Sequence, residues 1–215
     1  MKLFLDTASI EEIRTANRWG VLGGVTTNPS LLAREHAAPE TVWKEILTEV
    51  HGDVSLEVTA LDADGMVEQG HTLAQMGPNA VVKVPMTPEG LEAASRLRAE
   101  SIRTNITLVF SAAQAILAAK AGASFISPFL GRLDDIGENG LLLLQDIIEV
   151  YRNYDWKTEV LAASMRHPIH VIEAARMGAD IATIPFKVID QMFNHPLTDK
   201  GQATFLADWH KSGRK

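Results

Sequence analysis

The sequence predicts an α/β fold, a (β/α)8 TIM barrel with an additional C-terminal helix, in a single domain over residues 1–215. Short apolar runs rich in Val, Ile and Phe recur along the chain, and each is followed by about ten to fifteen residues with helical spacing. This alternation continues to the end of the chain. A length of 215 residues suits one such barrel, which usually takes ~250 residues, so a compact barrel is expected.

The strands and helices can be read in order. Strands are predicted at residues 3–6, 24–27, 54–59, 80–85, 104–110, 125–130, 159–164 and 180–185. Amphipathic helices are predicted at residues 10–19, 66–76, 88–99, 112–121, 141–151 and 169–177. Several of them stop at a glycine (Gly20, Gly77, Gly122 and Gly178), which we expect in the left-handed conformation that ends helices.

The C-terminal part of the chain exceeds what closure of the barrel needs. An apolar segment at 188–193 is followed by a predicted helix at about 198–212. Phe205, Leu206 and Trp209 give this helix an apolar face. That face must pack on the chain's own barrel or on a neighbouring subunit.

Composition argues against several classes of function. The formal net charge is −7 and no basic stripe occurs, so no nucleic-acid partner is expected. The chain has no cysteine, which removes thiolate chemistry, and no membrane-length apolar stretch, so we expect a cytoplasmic protein without a membrane partner. Dinucleotide and Gly-rich phosphate fingerprints are missing, which predicts no nucleotide cofactor. His167 and His170 stand three apart without a third ligand nearby, so no metal is expected.

Polar residues interrupt the apolar strands with a period of two. In the third strand Ser55 and Glu57 share one face while the apolar neighbours take the other. Because helices cover the outside of a parallel barrel, this alternation indicates a polar lumen. The same pattern holds for the polar residues of later strands, and two more stand at strand ends, where barrel enzymes carry their chemistry: Asn105, Thr107, Ser127 and Ser164, then Asp6 and Asn28.

Lys83 is the most informative of these residues because it lies in the middle of an apolar strand. Lysine is almost never fully buried without a partner, and burial favours its neutral, nucleophilic amine. Lys83 could therefore form a Schiff base with a ketone, with Glu57 or Asp6 as the acid/base and Thr107 holding a water. The alternative is a structural lysine paired with Glu57 or Asp6, and the two roles can coexist.

Basic residues near the ends of the sixth and seventh strands could bind phosphate. Arg132 follows the sixth strand, and Ser164 and Arg166 follow the seventh, a region where barrel enzymes often hold phosphate. The alternative pairs Arg132 with Asp134 or Asp135 and leaves Arg166 in solvent.

Several motifs together resemble the transaldolase family, especially the small subgroup that also contains fructose-6-phosphate aldolase. The resemblance runs nearly end to end. It rests on Leu5-Asp6-Thr7-Ala8, Gly24-Val25-Thr26-Thr27-Asn28-Pro29-Ser30, Val82-Lys83-Val84-Pro85-Met86-Thr87, Thr104-Asn105-Ile106-Thr107-Leu108, Ser127-Pro128-Phe129-Leu130-Gly131-Arg132 and Ala162-Ala163-Ser164.

The resemblance implies a role for each matching residue. Lys83 would be the Schiff-base lysine, with Glu57 and Thr107 holding the catalytic water and Asp6 moving protons at the substrate hydroxyls. The remaining residues would bind substrate: Asn28, Asn105 and Ser127 at the ketol, and Ser164, Arg132 and Arg166 at the phosphate. The implied reaction, in the pentose phosphate pathway, moves dihydroxyacetone from sedoheptulose 7-phosphate or fructose 6-phosphate to glyceraldehyde 3-phosphate or erythrose 4-phosphate without a cofactor. The subgroup also implies a homo-oligomer, a pentamer or decamer.

Two positions bear on the choice between transferase and aldolase. Fructose-6-phosphate aldolases carry Gln where Glu57 stands and Tyr where Phe129 stands. A tyrosine hydroxyl can help to protonate the enamine and release dihydroxyacetone, whereas phenylalanine cannot donate a proton. Both residues here favour transaldolase. An aldolase that releases dihydroxyacetone is the second interpretation, and a non-catalytic barrel that binds sugar phosphates is the third.

Overall fold

Eight parallel strands close into a barrel in the order in which they occur along the chain. The computed structural model describes residues 1–213, so the last two residues of the predicted domain lie outside it. The strands are β1 (Lys2–Asp6), β2 (Gly24–Thr26), β3 (Asp53–Glu57), β4 (Ala80–Pro85), β5 (Thr104–Val109), β6 (Phe125–Pro128), β7 (Glu159–Ala162) and β8 (Ile181–Ile184). Pairing of β1 with β8 completes the ring. The predicted (β/α)8 barrel is confirmed.

Helices follow every strand and cover the barrel. They are α1 (Ile10–Trp19), α2 (Pro29–Leu32), α3 (Pro39–Glu49), α4 (Ala63–Ala74), α5 (Pro88–Ala99), α6 (Ala112–Ala121), α7 (Leu130–Asp134), α8 (Gly140–Tyr151), α9 (Pro168–Met177), α10 (Phe186–Phe193) and α11 (Pro196–Lys211). The sequence prediction missed α2, α3 and α7. Of these, α3 is the crossover between β2 and β3, and it buries Val42, Ile46 and Leu47 at helical spacing.

Glycine ends three of the predicted helices as expected, but not the fourth. Gly20, Gly122 and Gly178 have φ of 70°, 81° and 91° and cap α1, α6 and α9. The prediction for Gly77 was wrong, because α4 ends at Ala74 and Gly77 is not among the glycines with positive φ. Pro78 follows Gly77, and a proline pushes the preceding residue toward extended backbone.

An apolar layer fills the N-terminal half of the barrel lumen. It consists of Phe4, Val81, Phe125, Leu161 and Ile181, which together with Ala163 above them form a cluster separate from the main core between strands and helices. Phe4 and Phe125 lie on β1 and β6, which are not neighbours, yet their ring centroids are 6.5 Å apart, so they meet across the lumen. We call these five residues the lumen plug.

The lumen plug determines which residues stand above it. Side chains two apart on a strand point the same way. The residues two positions after the plug members therefore also face the lumen: they are Asp6, Lys83, Ser127, Ala163 and Thr183, and all of them line one pocket at the C-terminal end of the barrel.

Helix α11 stands apart from this packing. None of its residues is buried, and Phe205 and Trp209 are 76% and 47% exposed. Its apolar face therefore does not pack on the chain's own barrel. Of the two predicted options, packing on a neighbouring subunit remains a prediction. Over residues 1–213, none of the helices combines the length and the apolar character needed to cross a membrane.

Candidate active site

The pocket above the lumen plug contains most of the residues predicted from the sequence. Asp6, Asn28, Lys83, Ser127, Phe129, Arg132, Ser164 and Arg166 line it. Glu57, Asn105 and Thr107 do not line it but lie on strands adjoining Lys83 or Ser127. The C-terminal ends of different strands thus supply most of the predicted groups to one site, as expected for a barrel enzyme.

Lys83 is buried in this pocket between two acceptors. Its side chain is 4% exposed, and its Nζ lies 2.9 Å from Glu57 Oε2. Nζ also donates a hydrogen bond to the Thr27 carbonyl oxygen at 3.0 Å. Glu57 and Lys83 are register partners on β3 and β4, so the sheet itself holds the pair together. The predicted pairing with Glu57 is confirmed, and among residues 1–213 Lys83 makes no ion pair with Asp6.

Glu57 faces a second cavity as well as Lys83. That cavity lies between α3 and α4, and its lining includes Trp43, Glu57 and Thr72 but not Lys83. Trp43 Nε1 donates to Thr27 Oγ1 at 3.2 Å and so supports the residue whose carbonyl accepts from Lys83. Glu57 remains 15% exposed, so this carboxylate reaches both the lysine and a wet surface.

Asp6, at the end of β1, is the second carboxyl of the site and lines the pocket. The Thr26 hydroxyl donates to Asp6 Oδ1 at 2.8 Å and lies 2.6 Å from Thr183 Oγ1. The Thr26 hydroxyl has a single proton, which it donates to Asp6. The Thr183 hydroxyl must therefore be the donor in its contact with Thr26. Burial raises the pKa of Asp6, while the charge of Lys83 and the Thr26 hydrogen bond lower it without cancelling the rise.

A bulge on β5 positions Thr107. The register between β5 and β6 shifts between Ile106 and Val109, and Leu108 has a φ of 62°. Bulges next to active sites re-aim side chains. Within the described chain the buried Thr107 hydroxyl has no hydrogen-bond partner, so it is available to a water or a substrate atom.

Asn105 is held inside a hydrogen-bonded network instead of facing the pocket. Its Nδ2 donates to Ser55 Oγ at 3.1 Å, and its Oδ1 accepts from the Ser127 hydroxyl at 2.8 Å. Ser127 does line the pocket. Asn105 therefore reaches that space through Ser127.

Asn28 caps α2 at the end of β2. Its Oδ1 accepts from the Leu31 backbone N–H at 2.9 Å, while its Nδ2 is left for the pocket. Ser30 and Arg34 also line the pocket, and the sequence analysis missed both as functional residues. The only signal for Ser30 was its place in the motif around Asn28, and Arg34 follows α2 in a loop whose direction no periodicity predicts.

Arginines gather at the mouth of the pocket beyond β6 and β7. The Arg132 guanidinium carbon lies 5.0 Å from the centroid of the Phe129 ring, in a cation–π contact. Arg166 Nη2 lies 2.6 Å from Asp135 Oδ2. The alternative that paired Arg132 with Asp134 or Asp135 is wrong, because Asp135 pairs with Arg166 and Asp134 with His170.

The backbone around these arginines is tightly fitted. The Gly131 N–H donates to the Ser164 carbonyl oxygen at 3.0 Å, and a Cβ on Gly131 would lie 2.3 Å from that oxygen. Ser164 itself has a φ of 58°, which is uncommon for a residue other than glycine. Such a conformation is often found where function requires a particular side-chain direction.

The two histidines after β7 do not form a metal pair. The ring of His170 is tied at both nitrogens to protein groups, and His167 lies 4.0 Å from it, centroid to centroid. Among residues 1–213, His, Asp and Glu form no cluster of three or more that could hold a metal ion.

Comparisons with known proteins identify the family of the chain. The family model described as Transaldolase/Fructose-6-phosphate aldolase matches residues 3–214. A protein of Caldicellulosiruptor saccharolyticus named "Probable transaldolase" is 58% identical over 216 residues and covers 100% of both chains. One of Aquifex aeolicus with the same name is 56% identical over 100% of this chain and 99% of its own. The "Probable transaldolase 1" of Listeria monocytogenes is 57% identical over 97% and 98%.

Solved structures extend the comparison to the fold. Thiamine phosphate pyrophosphorylase from Pyrococcus furiosus matches with a TM-score of 0.59 at 19% identity, over 86% of this chain and 85% of that one. A flavocytochrome b2 matches with a TM-score of 0.64 at 13% identity, over 86% and 57%. These likenesses concern the barrel alone. With the family model matching almost every residue and relatives of full length above half identity, the chain belongs to the transaldolase/fructose-6-phosphate aldolase family.

Proposed function

We propose that this chain is a transaldolase, which transfers a dihydroxyacetone unit from a ketose phosphate to an aldose phosphate through a Schiff base on Lys83. The observation that carries the proposal is the buried Lys83 amine, 2.9 Å from the Glu57 carboxylate and facing the same pocket as Asp6. Membership of the family and the names of the full-length relatives support it. Sedoheptulose 7-phosphate and fructose 6-phosphate are the proposed donors, and glyceraldehyde 3-phosphate and erythrose 4-phosphate the acceptors.

In the proposed reaction Glu57 first accepts a proton from Lys83. The neutral amine attacks the C2 carbonyl of the ketose phosphate and gives a carbinolamine. Glu57 returns the proton to the carbinolamine oxygen, which leaves as water beside the free hydroxyl of Thr107. The product of this stage is a protonated imine on Lys83.

Carbon–carbon cleavage then uses Asp6. Asp6 takes the proton of the C4 hydroxyl, the C3–C4 bond breaks, and the imine nitrogen accepts the electron pair. An aldose phosphate leaves, and the enamine of dihydroxyacetone stays on Lys83. The raised pKa of Asp6 suits a group that accepts this proton and returns it to the acceptor aldehyde in the reverse steps.

Arginine and serine side chains at the pocket mouth would bind the phosphate of both substrates. Arg132, Ser164 and Arg166 line the pocket around one opening, and Arg34 lines it too. A guanidinium presents paired donors that match phosphate oxygens. Arg166 would have to share its guanidinium between phosphate and Asp135, with which it pairs at 2.6 Å. Asn28 and Ser127 would orient the ketol, and Asn105 would act through Ser127.

A homo-oligomer is part of the proposal. Helix α11 buries none of its residues, and a lone helix of 16 residues is marginal in water. Its apolar face of Leu197, Phe205, Leu206 and Trp209 is exposed. A second copy of this chain would cover that face, in keeping with the pentamers or decamers that the family resemblance implies.

We also propose a cytoplasmic location, which a chain without cysteine suits.

The deciding experiment is an assay of fructose 6-phosphate conversion with and without erythrose 4-phosphate. Wild type, Lys83→Ala and the control Lys2→Ala are compared, since Lys2 pairs with Glu159 at the other end of the barrel. A transaldolase turns over only with acceptor, Lys83→Ala loses turnover, and Lys2→Ala keeps it.

Two outcomes would point to the other interpretations. Equal turnover without acceptor would identify an aldolase. A barrel that only binds sugar phosphates would show no turnover, and borohydride with substrate would leave the mass of wild type unchanged.

A further inference from the structure

We propose that His170, which does not line the pocket, is a positioning residue that holds together the two phosphate-binding loops, by which we mean the β6–α7 segment with Arg132 and the segment after β7 with Arg166. His170 lies on the first turn of α9 and is 3% exposed. Its ring stands between the loop that carries Arg166 and the end of α7, which carries Arg132. The inference rests on the proposed function, because it assigns the effect of His170 to phosphate binding.

Each ring nitrogen of His170 contacts a different loop. The Arg166 backbone N–H donates to His170 Nδ1 at 3.3 Å. On the other side, His170 Nε2 lies 2.9 Å from Asp134 Oδ2. Nδ1 accepts, so the proton of the neutral ring is on Nε2 and is donated to Asp134. One imidazole in one tautomer therefore serves both loops.

The far end of this link is anchored in turn. Asp134 Oδ1 accepts from the Gly140 N–H at 3.0 Å, so the carboxylate is fixed at the start of α8. Without His170, the Arg166 N–H and the Asp134 carboxylate would each lose a partner in a partly buried place. The Arg166 guanidinium would then keep its exposed pair with Asp135, but its backbone would lose this support.

Burial, more than any neighbouring charge, favours the neutral ring that the link requires. Burial and the adjacent His167 lower the pKa of His170, Arg166 lowers it further, and Asp134 raises it by less. A neutral ring can accept from Arg166, whereas a doubly protonated ring cannot.

The test uses two variants that each keep one of the two hydrogen bonds. His170→Asn puts an amide oxygen near the position of Nδ1, and His170→Gln puts an amide nitrogen near that of Nε2. His51→Gln is the control, because His51 is exposed just before β3, away from the pocket, and its side chain makes no hydrogen bond among the described residues. Three quantities are measured: the KM for fructose 6-phosphate, the inhibition constant of inorganic phosphate, and the rate of borohydride trapping of dihydroxyacetone on Lys83.

Both His170 variants are expected to raise the KM and the phosphate inhibition constant by about tenfold, the size of one lost hydrogen bond. Trapping of dihydroxyacetone, which has no phosphate, should stay at the wild-type rate, and His51→Gln should match wild type throughout. The inference is overturned if both constants stay within about twofold of wild type in both variants. It is equally overturned if trapping falls in step with them, because His170 would then support the pocket as a whole. Failure of trapping in wild type would instead reject the proposed function.

Discussion

The Asp6 carboxyl is partly buried, which disfavours its ionised form, and this has consequences for both stability and activity. Because its pKa is raised above 3.8 in the folded chain, the unfolded chain ionises first as the pH rises. The free energy of unfolding therefore falls between pH 3.8 and the higher folded pKa, and stays reduced above it. An acid in this position lowers stability at neutral pH, which fits the acid/base role that we propose for it.

Replacing Asp6 by asparagine tests this directly. Asp6→Asn keeps an oxygen that can accept from Thr26 but cannot ionise. Urea unfolding should show the variant to be more stable than wild type at neutral pH, with a difference that shrinks as the solution is made acidic. Turnover should fall by about 10²- to 10⁴-fold through loss of the acid/base. A variant less stable than wild type at neutral pH would contradict this account of burial.

Phe129 is expected to control the fate of the enamine. It lines the pocket, with its ring 5.9 Å from that of Phe110, and it has no proton to donate. Phe129→Tyr should raise the release of free dihydroxyacetone from fructose 6-phosphate in the absence of acceptor. Phe110→Tyr serves as a control for an added hydroxyl at the neighbouring ring, which does not line the pocket. An unchanged rate of release in Phe129→Tyr would count against this role.

At the scale of single residues, the sequence predicted the pocket residues that lie on strands and missed some of those that lie in loops. The period of two in β3 and β6 singled out Glu57 and Ser127 before any coordinates, and the interruption of an apolar strand singled out Lys83. Arg34 was missed because it lies in a loop, where no periodicity gives the direction of a side chain. The contact of Asp135 with Arg166 joins residues 31 apart in sequence, and no local pattern announces such a pair.

At the scale of elements, the junction between β6–α7 and β7 depends on one glycine. Gly131 donates to the Ser164 carbonyl oxygen, and a Cβ at Gly131 would lie 2.3 Å from this oxygen and 2.6 Å from Arg166 Cγ. Backbone cannot yield as a flexible side chain can, so the two loops would have to separate.

Gly131→Ala is therefore expected to be destabilising by about 1–3 kcal/mol, the usual effect of overpacking. Inorganic phosphate should also inhibit the variant less strongly than wild type, since the loops carry Arg132 and Arg166. Thermal unfolding and phosphate inhibition check the two effects. If thermal unfolding and phosphate inhibition both matched wild type, a Cβ at Gly131 would fit without moving the two loops, which would contradict the prediction.

Strands and most helices were predictable at this scale, and the exceptions have physical reasons. All eight strands come from apolar runs that the main core and the lumen plug bury on both faces. Helices α2 and α7 have four and five residues, too few to establish a helical period. The longer α3 does show one, with Val42 and Ile46 buried four apart, and was overlooked because it follows a loop and the short α2.

At the scale of the whole molecule, α11 is the element that one chain leaves without a partner. Leu197, Phe205 and Trp209 lie along one side of it and are all exposed. The sequence identified this apolar face but left open what it packs against. Association with a second copy would remove the face from water and stabilise the helix together with the assembly.

Charges placed on that face should break the assembly. The double variant Phe205→Glu/Trp209→Glu is expected to sediment as a smaller species than wild type in analytical ultracentrifugation. Ala207→Glu adds a charge on the opposite side of α11 and should leave the sedimentation unchanged. An identical profile for all three proteins would mean that this face is not the interface.

The pairing of the lumen plug with the site residues also limits how the length of this chain can change. Each plug residue and the site residue two places later depend on the same strand, so deletion of one residue between them would turn the site residue toward the helices. For β4 that would move the Lys83 amine out of the pocket while leaving the composition almost intact. Insertions and deletions should therefore preserve activity only when they fall in the connections between strands and helices. The turns at the plug end of the barrel, farthest from the pocket, are the places to insert a tag or a second domain.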